Sequence, residues 1–135
     1  MRVLIDTNVI LDVLTGREPH CEYSAAFLKL CGMRITGLMT ASQTTDIFYL
    51  LRREGKDTES AKAIIRKLAD NVKIVDVTAF DVENALVSDM PDYEDALLAF
   101  CGKRRKADYI VTRNEKDFRQ SPVPALSPQA FLARD

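Results

Sequence analysis

The stretch VLIDTNVILDVL, residues 3–14, decides the fold. Arg2 to Ile5 is a short β-rich run, the composition of a strand. Asp6, Thr7 and Asn8 end it with side chains that favour turns and cap helix starts. Val9 to Leu14 then carries apolar residues at helical and mixed spacing, until Arg17, Glu18 and Pro19 interrupt it. A strand that passes through one turn into a helix is the opening of a β-α-β unit, and an acid, Asp6, stands at the joint.

Outward from that joint the same alternation continues. Strands are expected at Ile35 to Met39, Val72 to Val77 and Tyr109 to Thr112, from short β-rich runs bounded by turn residues. Helices are expected at Tyr23 to Cys31, Ala41 to Arg53, Thr58 to Ala69, Thr78 to Val87 and Tyr93 to Arg105, the last capped by Asp92. A short helical turn follows at Asn114 to Phe118. A small helix at Pro128 to Leu132 closes the proline-bearing tail. Strands alternating with helices predict an α/β fold around a mainly parallel, doubly wound sheet.

The chain has 135 residues, 47% hydrophobic and 29% charged, which suits a single globular domain over 1–135. No apolar run reaches the roughly 20 residues that span a bilayer, and the N-terminus has no signal-peptide pattern. A cytoplasmic protein with no membrane partner is expected. Its three cysteines, Cys21, Cys31 and Cys101, are odd in number and lack Cys-x-x-Cys spacing, so they read as reduced thiols. With one histidine, His20, there is no zinc-binding pattern. A net charge of −1 argues against a nonspecific nucleic-acid coat protein but leaves a nucleic-acid enzyme open. The run Lys103 to Lys106 ends a helix, where positive charge is favourable for structural reasons. Phe48, Tyr49, Tyr93 and Phe100 are expected to serve the core or a dimer contact.

In parallel α/β sheets, sites collect beyond the carboxyl ends of the strands. Asp6 follows the first strand directly, and Asn114 and Asp117 follow the last. Asp46 and Asp95 fall near the starts of helices that begin at that same edge. Each has a structural reading alone: Asp6 as a cap, Asp46 as a helix-dipole partner, Asp92 with Asp95 and Asn114 with Asp117 as capping-box patterns. Together they describe a carboxylate cluster, which needs a compensating cation. Oxygen ligands select Mg²⁺ or Mn²⁺, ions that bind phosphate and assist its displacement by water.

The segments VLIDTNVILDVL, ASQTTDIFYLLRR, DYEDALLAFCGKRRKADYIVTRNEKDF and PVPALSPQAFL resemble, in order and over nearly the whole chain, the PIN domain family. The resemblance implies a three-layer α/β/α fold and Mg²⁺- or Mn²⁺-dependent cleavage of RNA to 5′-phosphate and 3′-hydroxyl ends. It further implies the toxin half of a type II toxin–antitoxin pair of the VapC type, with an antitoxin partner and a homodimer. Position by position, it points to Asp6, Asp46 and Asp95 as catalytic acids, with Asn114 and Asp117 sharing the fourth place. Asp6, Asp95, Asp46 and Asp117 are the implied metal ligands. Thr7, Asn8 and Thr112 read as helpers that orient Asp6 or a bound water, or as turn and cap residues. Arg113 and Lys116 flank the site as phosphate contacts.

Two positions depart from the family pattern. Asp46 stands where Glu is usual and is one methylene shorter. Asn114 is neutral where an acid is usual. Both keep a second reading open, a PIN-fold RNA- or protein-binding module with a weakened metal site. Aspartyl-nucleophile phosphatases and receiver domains are poorer matches, because Asn8 breaks the Asp-x-Asp of the former and the adjacent acids of the latter are missing.

Overall fold

The computed structural model describes residues 1–134. Its five strands are β1 (Arg2–Ile5), β2 (Thr36–Thr40), β3 (Val72–Val75), β4 (Tyr109–Val111) and β5 (Ala125–Leu126). Its seven α-helices are α1 (Thr7–Thr15), α2 (Cys21–Leu28), α3 (Ala41–Arg53), α4 (Thr58–Leu68), α5 (Ala79–Val87), α6 (Tyr93–Arg104) and α7 (Pro128–Leu132). A 3₁₀ turn spans Glu115–Phe118. All strand pairs are parallel, and the sheet runs β3-β2-β1-β4-β5. The strand order reverses on the two sides of β1, so the residue after β1 lies at the switch point of the sheet.

The side-chain alternation of the strands divides the core into two layers. Val3, Ile5, Met39 and Val111 pack with Ile10, Phe27, Ile47 and Phe131, under α1, α2, α3 and α7. Leu4, Leu38 and Ile110 point the other way and pack with Ala85, Ala96, Ala99 and Phe118, under α5 and α6. The β1 side chains from Val3 to Ile5 are wholly buried. The three-layer α/β/α architecture expected from the sequence is therefore present. Gly37 makes the central pairing tight: a Cβ there would lie 2.6 Å from Cys31 Sγ and 3.2 Å from Ile5 Cδ1.

Helix ends follow their caps. Thr40 and Gln43 form a capping box at α3, Thr78 and Asp81 another at α5, and Asp92 accepts the Asp95 N–H at α6. Three expectations shift. The second helix begins earlier and ends at Leu28, because the chain turns through Leu30 to Ile35 by local backbone bonds. The third strand stops at Val75, where the Asp76 carbonyl turns to Arg104 and Cys101. The tail also adds β5 to the sheet edge, a two-residue strand that the sequence pattern does not announce. Of the cysteines, Cys31 and Cys101 are buried and Cys21 is half-buried; all are free thiols. Burial pushes the Cys31 thiol up to about 12, so it is an inert core residue. Tyr49 and Tyr93 are exposed, while Phe48 packs against the core.

Candidate active site at the carboxyl edge

Because the strands are parallel, their carboxyl ends share one edge. Asp6 leaves β1 there, Thr112 leaves β4, and α3 starts there straight after β2. Helix α6 runs back toward the start of β4, so its first turn, with Asp92, Glu94 and Asp95, returns to the same edge.

Asp6 is the most tightly held of the acids, with only 8% of its surface exposed. Its Oδ1 accepts the Thr7 N–H at 2.7 Å. Its Oδ2 accepts the Thr112 hydroxyl at 2.8 Å and, more weakly, the Asn8 amide at 3.4 Å. The Thr112 hydroxyl in turn accepts the Asn114 N–H at 3.0 Å, and Asn8 Oδ1 accepts the Arg113 N–H at 3.4 Å. Thr7, Asn8 and Thr112 thus all orient Asp6. The last two also tie it to the 112–114 turn.

Below this lies a residue that sequence reading passes over. Gln43 on α3 is buried and donates to the Ile5 carbonyl at 2.7 Å and to the Thr7 hydroxyl at 3.1 Å. Its own oxygen accepts the Thr40 N–H at 2.7 Å. One side chain joins the ends of β1 and β2. Its capping-box spacing was the visible signal; the cross-strand contacts were not.

Electrostatics show which acids gather. Burial raises the Asp95 carboxyl first, and Asp6, Asp92, Asp117 and Glu94 add to it, pushing it up to about 7. Glu94 is raised by burial and then by Asp46, Asp92 and Asp6. Asp6 is raised by burial, against which the Thr112 and Thr7 hydrogen bonds and the Arg113 charge work. Asp6, Asp46, Asp95 and Asp117 therefore stand in one field of negative charge, joined by Glu94 and Asp92. Glu94 is the second residue missed: beside Asp95 in the first turn of α6, it reads as helix-dipole decoration.

Among the described residues, no three acids or other ligating side chains close into a ready coordination cluster. The donor set still fits a hard cation, since it is all oxygen and burial and neighbouring acids raise the Asp95 carboxyl. Asp46 is exposed on α3 and Asn114 is exposed after β4, so the two positions that depart from the family pattern are also the loosest.

The basic residues divide. Lys116 and Arg119 are exposed and, with Arg113, Asn114 and Glu115, line a shallow cleft of about 470 Å³. Arg113 also reaches inward, with its Nε 2.6 Å from Asp12 Oδ2. Arg104 binds the buried Asp81 at 2.9 Å and Asp76 at 3.1 Å, and Arg105 also faces Asp76 at 3.6 Å. These two members of the basic run serve the fold.

A parallel α/β domain with its acids collected at the switch point is the class that fold and site define. Comparison with known proteins narrows it. The PIN domain family profile matches residues 2–116, and the chain belongs to that family. The curated Ribonuclease VapC1 of Aquifex aeolicus (strain VF5) is 24% identical over 139 residues, covering 98% of this chain and 94% of that protein. The toxin–antitoxin complex from Klebsiella pneumoniae contains a similar chain, with a TM-score of 0.71 at 16% identity, covering 93% of this chain and 97% of that one. VapBC-1 from nontypeable Haemophilus influenzae gives 0.71 at 14% identity, covering 96% and 99%.

Proposed function

We propose that this chain is a divalent-metal-dependent endoribonuclease, the toxin of a type II toxin–antitoxin pair. The observation that carries the reading is the gathering of acids at the switch point of a PIN fold, where Asp6 and Asp117 act on Asp95, and Asp46 acts on its neighbour Glu94. Family membership, a relative named as a ribonuclease and similar chains in toxin–antitoxin complexes support it.

Asp6 and Asp95 would hold the ion, with Asp46 and Asp117 completing the pocket and Glu94 adding charge. The chemistry such an ion, Mg²⁺ or Mn²⁺, would supply there is neutralisation of the acids, activation of water and stabilisation of charge at phosphorus. The protein's own contribution is preorganisation. Thr7, Asn8 and Thr112 aim both oxygens of Asp6, the Thr112 and Thr7 bonds oppose the upward push of burial on it, and Gln43 fixes the strand ends that carry them. Asn114 orients water or a ligand. Lys116 and the outer face of Arg113 bind the phosphates of the RNA on either side of the cut. An antitoxin covering the cleft, a homodimer and a cytoplasmic setting belong to the same reading.

The test is cleavage of RNA by purified protein with Mn²⁺ or Mg²⁺, with EDTA, and with Asp6→Ala or Asp95→Ala. Cleavage should require the ion and both acids; activity that survives chelation and both substitutions would sink the mechanism. The exposed Asp46 and the neutral Asn114 favour a second reading, a binding module with a weakened site. Metal-stimulated RNA binding without cleavage would select it.

A further inference from the structure

We propose that Asp12 is a positioning residue that parks the Arg113 guanidinium beside the acidic pocket and so keeps the pocket open to a divalent cation. This rests on the metal-dependent reading above, and it concerns a residue that is not itself a ligand.

Asp12 lies on α1 with its side chain fully buried. A carboxylate withdrawn from water needs a cation or a full set of donors. Its Oδ2 has Arg113 Nε at 2.6 Å and the Ser24 hydroxyl at 3.3 Å. Its Oδ1 has no hydrogen-bond partner among the described residues, and Arg113 Nε also lacks an aligned one. The contact is therefore a charge pair, and the buried acid depends on that single guanidinium.

Arg113 occupies a position where its side chain has a choice. It sits between Thr112 and Asn114 in the turn that holds Asp6, and its backbone N–H is tied to Asn8. Its charge reaches Asp6 and works against the upward push of burial on that carboxyl. Asp6 stands in turn among the pocket acids, acting on Asp95 and Glu94, and neither of those two has a cation among the groups that act on it. A guanidinium forms paired, charge-assisted bonds with carboxylates, so an Arg113 released from Asp12 would fold onto the oxygens that a metal ion needs. Asp12 prevents this by offering a carboxylate on the other side, in the interior between α1 and α2. Asp12 is buried in α1 along with Val9, Ile10 and Leu11, and it is not the cap of that helix, which is Asp6.

The test is calorimetric titration of the full chain with Mn²⁺, alongside thermal melting, for wild type, Asp12→Asn, Arg113→Gln and the double variant. Wild type should bind Mn²⁺; if it does not, the nuclease reading fails before this one is reached. Asp12→Asn should weaken Mn²⁺ binding about tenfold or more. The double variant should restore it, because the intruding cation is gone. Arg113→Gln alone should bind Mn²⁺ at least as tightly as wild type but bind a noncleavable RNA more weakly. Full Mn²⁺ affinity in folded Asp12→Asn overturns the proposal. So does a double variant that binds much more weakly than Arg113→Gln, since Asp12 would then act other than through Arg113. That second comparison decides the matter even if Asp12→Asn does not fold.

Discussion

The Thr112 hydroxyl donates to Asp6 Oδ2 at 2.8 Å, joining residues 106 apart in the chain. The same oxygen accepts the Asn114 N–H, so one hydroxyl both aims the acid and shapes the turn beside it. Thr112→Val keeps the shape and removes both bonds. It should cost about 1–3 kcal/mol of stability, because Asp6 and the Asn114 N–H lose a buried partner. Mn²⁺ affinity should fall about 10–100-fold, as for other groups that orient a ligand. Denaturant unfolding and metal titration measure the two effects separately.

Asp95 is held in a repulsive field, so the metal-free fold is strained for the sake of the pocket. Asp95→Asn should raise the melting temperature of the EDTA-treated protein by a few degrees at mildly alkaline pH, while RNA cleavage falls by about 100-fold or more. A loss of stability together with activity would mean that the acid serves the fold.

Asp95 also sets a pH dependence. Its carboxyl has an ordinary value of 3.8 and is pushed up to about 7 in the fold. Between those values the folded chain keeps a proton that the unfolded chain has released. The Asp95 contribution is therefore fully present in acid and is lost as pH rises through about 7. On the proposed reading Mn²⁺ would have to displace that proton, so its affinity should climb through the same range and level off above it. Titrations at about pH 6 and about pH 8 that give equal affinity would contradict this.

Gln43 supports β1, β2 and Thr7 through three bonds. Gln43→Ala should cost about 2–4 kcal/mol, since it strands the Ile5 carbonyl and the Thr40 N–H in the interior. Gln43→Glu keeps one acceptor and loses the donors once ionised, so its deficit should grow with pH. Urea unfolding at two pH values checks both.

Arg104 is the sole ion-pair partner of the buried Asp81 among the described residues. Burial alone would raise that carboxyl, but the Arg104 bonds and the Thr78 N–H outweigh it and leave it below its ordinary value. Arg104→Ala should cost about 3–5 kcal/mol by leaving a buried charge unpaired. At temperatures where the variant is folded, RNA binding should be little changed, which separates Arg104 from Lys116.

Much of this was legible in the residues themselves. The apolar run before Asp6, the 3.6-residue spacing from Ala41 to Arg53 and the cap at Asp92 each encode their element locally. The positions of Asp6 and Asp117 after strands and of Asp95 near a helix start follow from the alternation of elements. What escaped depends on distance in the chain. Gln43 meets Ile5 across 38 residues, and no local spacing reports that. Arg104 shows its charge in the sequence but not its partners Asp76 and Asp81. Arg113 reads as a phosphate contact until Asp12 is seen beneath it. A strand as short as Ala125–Leu126 has no period to detect, and it exists because β4 offers an open edge.

The order of the sheet has a consequence for synthesis. Asp6, Asp46, Asp95 and Asp117 belong to four separate segments, and only the finished order β3-β2-β1-β4-β5 brings them to one edge. A nascent chain on the ribosome has emerged almost entirely before the last acid is available, and parallel pairings of such wide separation close late. A product cut short before Asp117 would lack the assembled edge, so on the proposed reading the chain gains its activity only as synthesis nears its end.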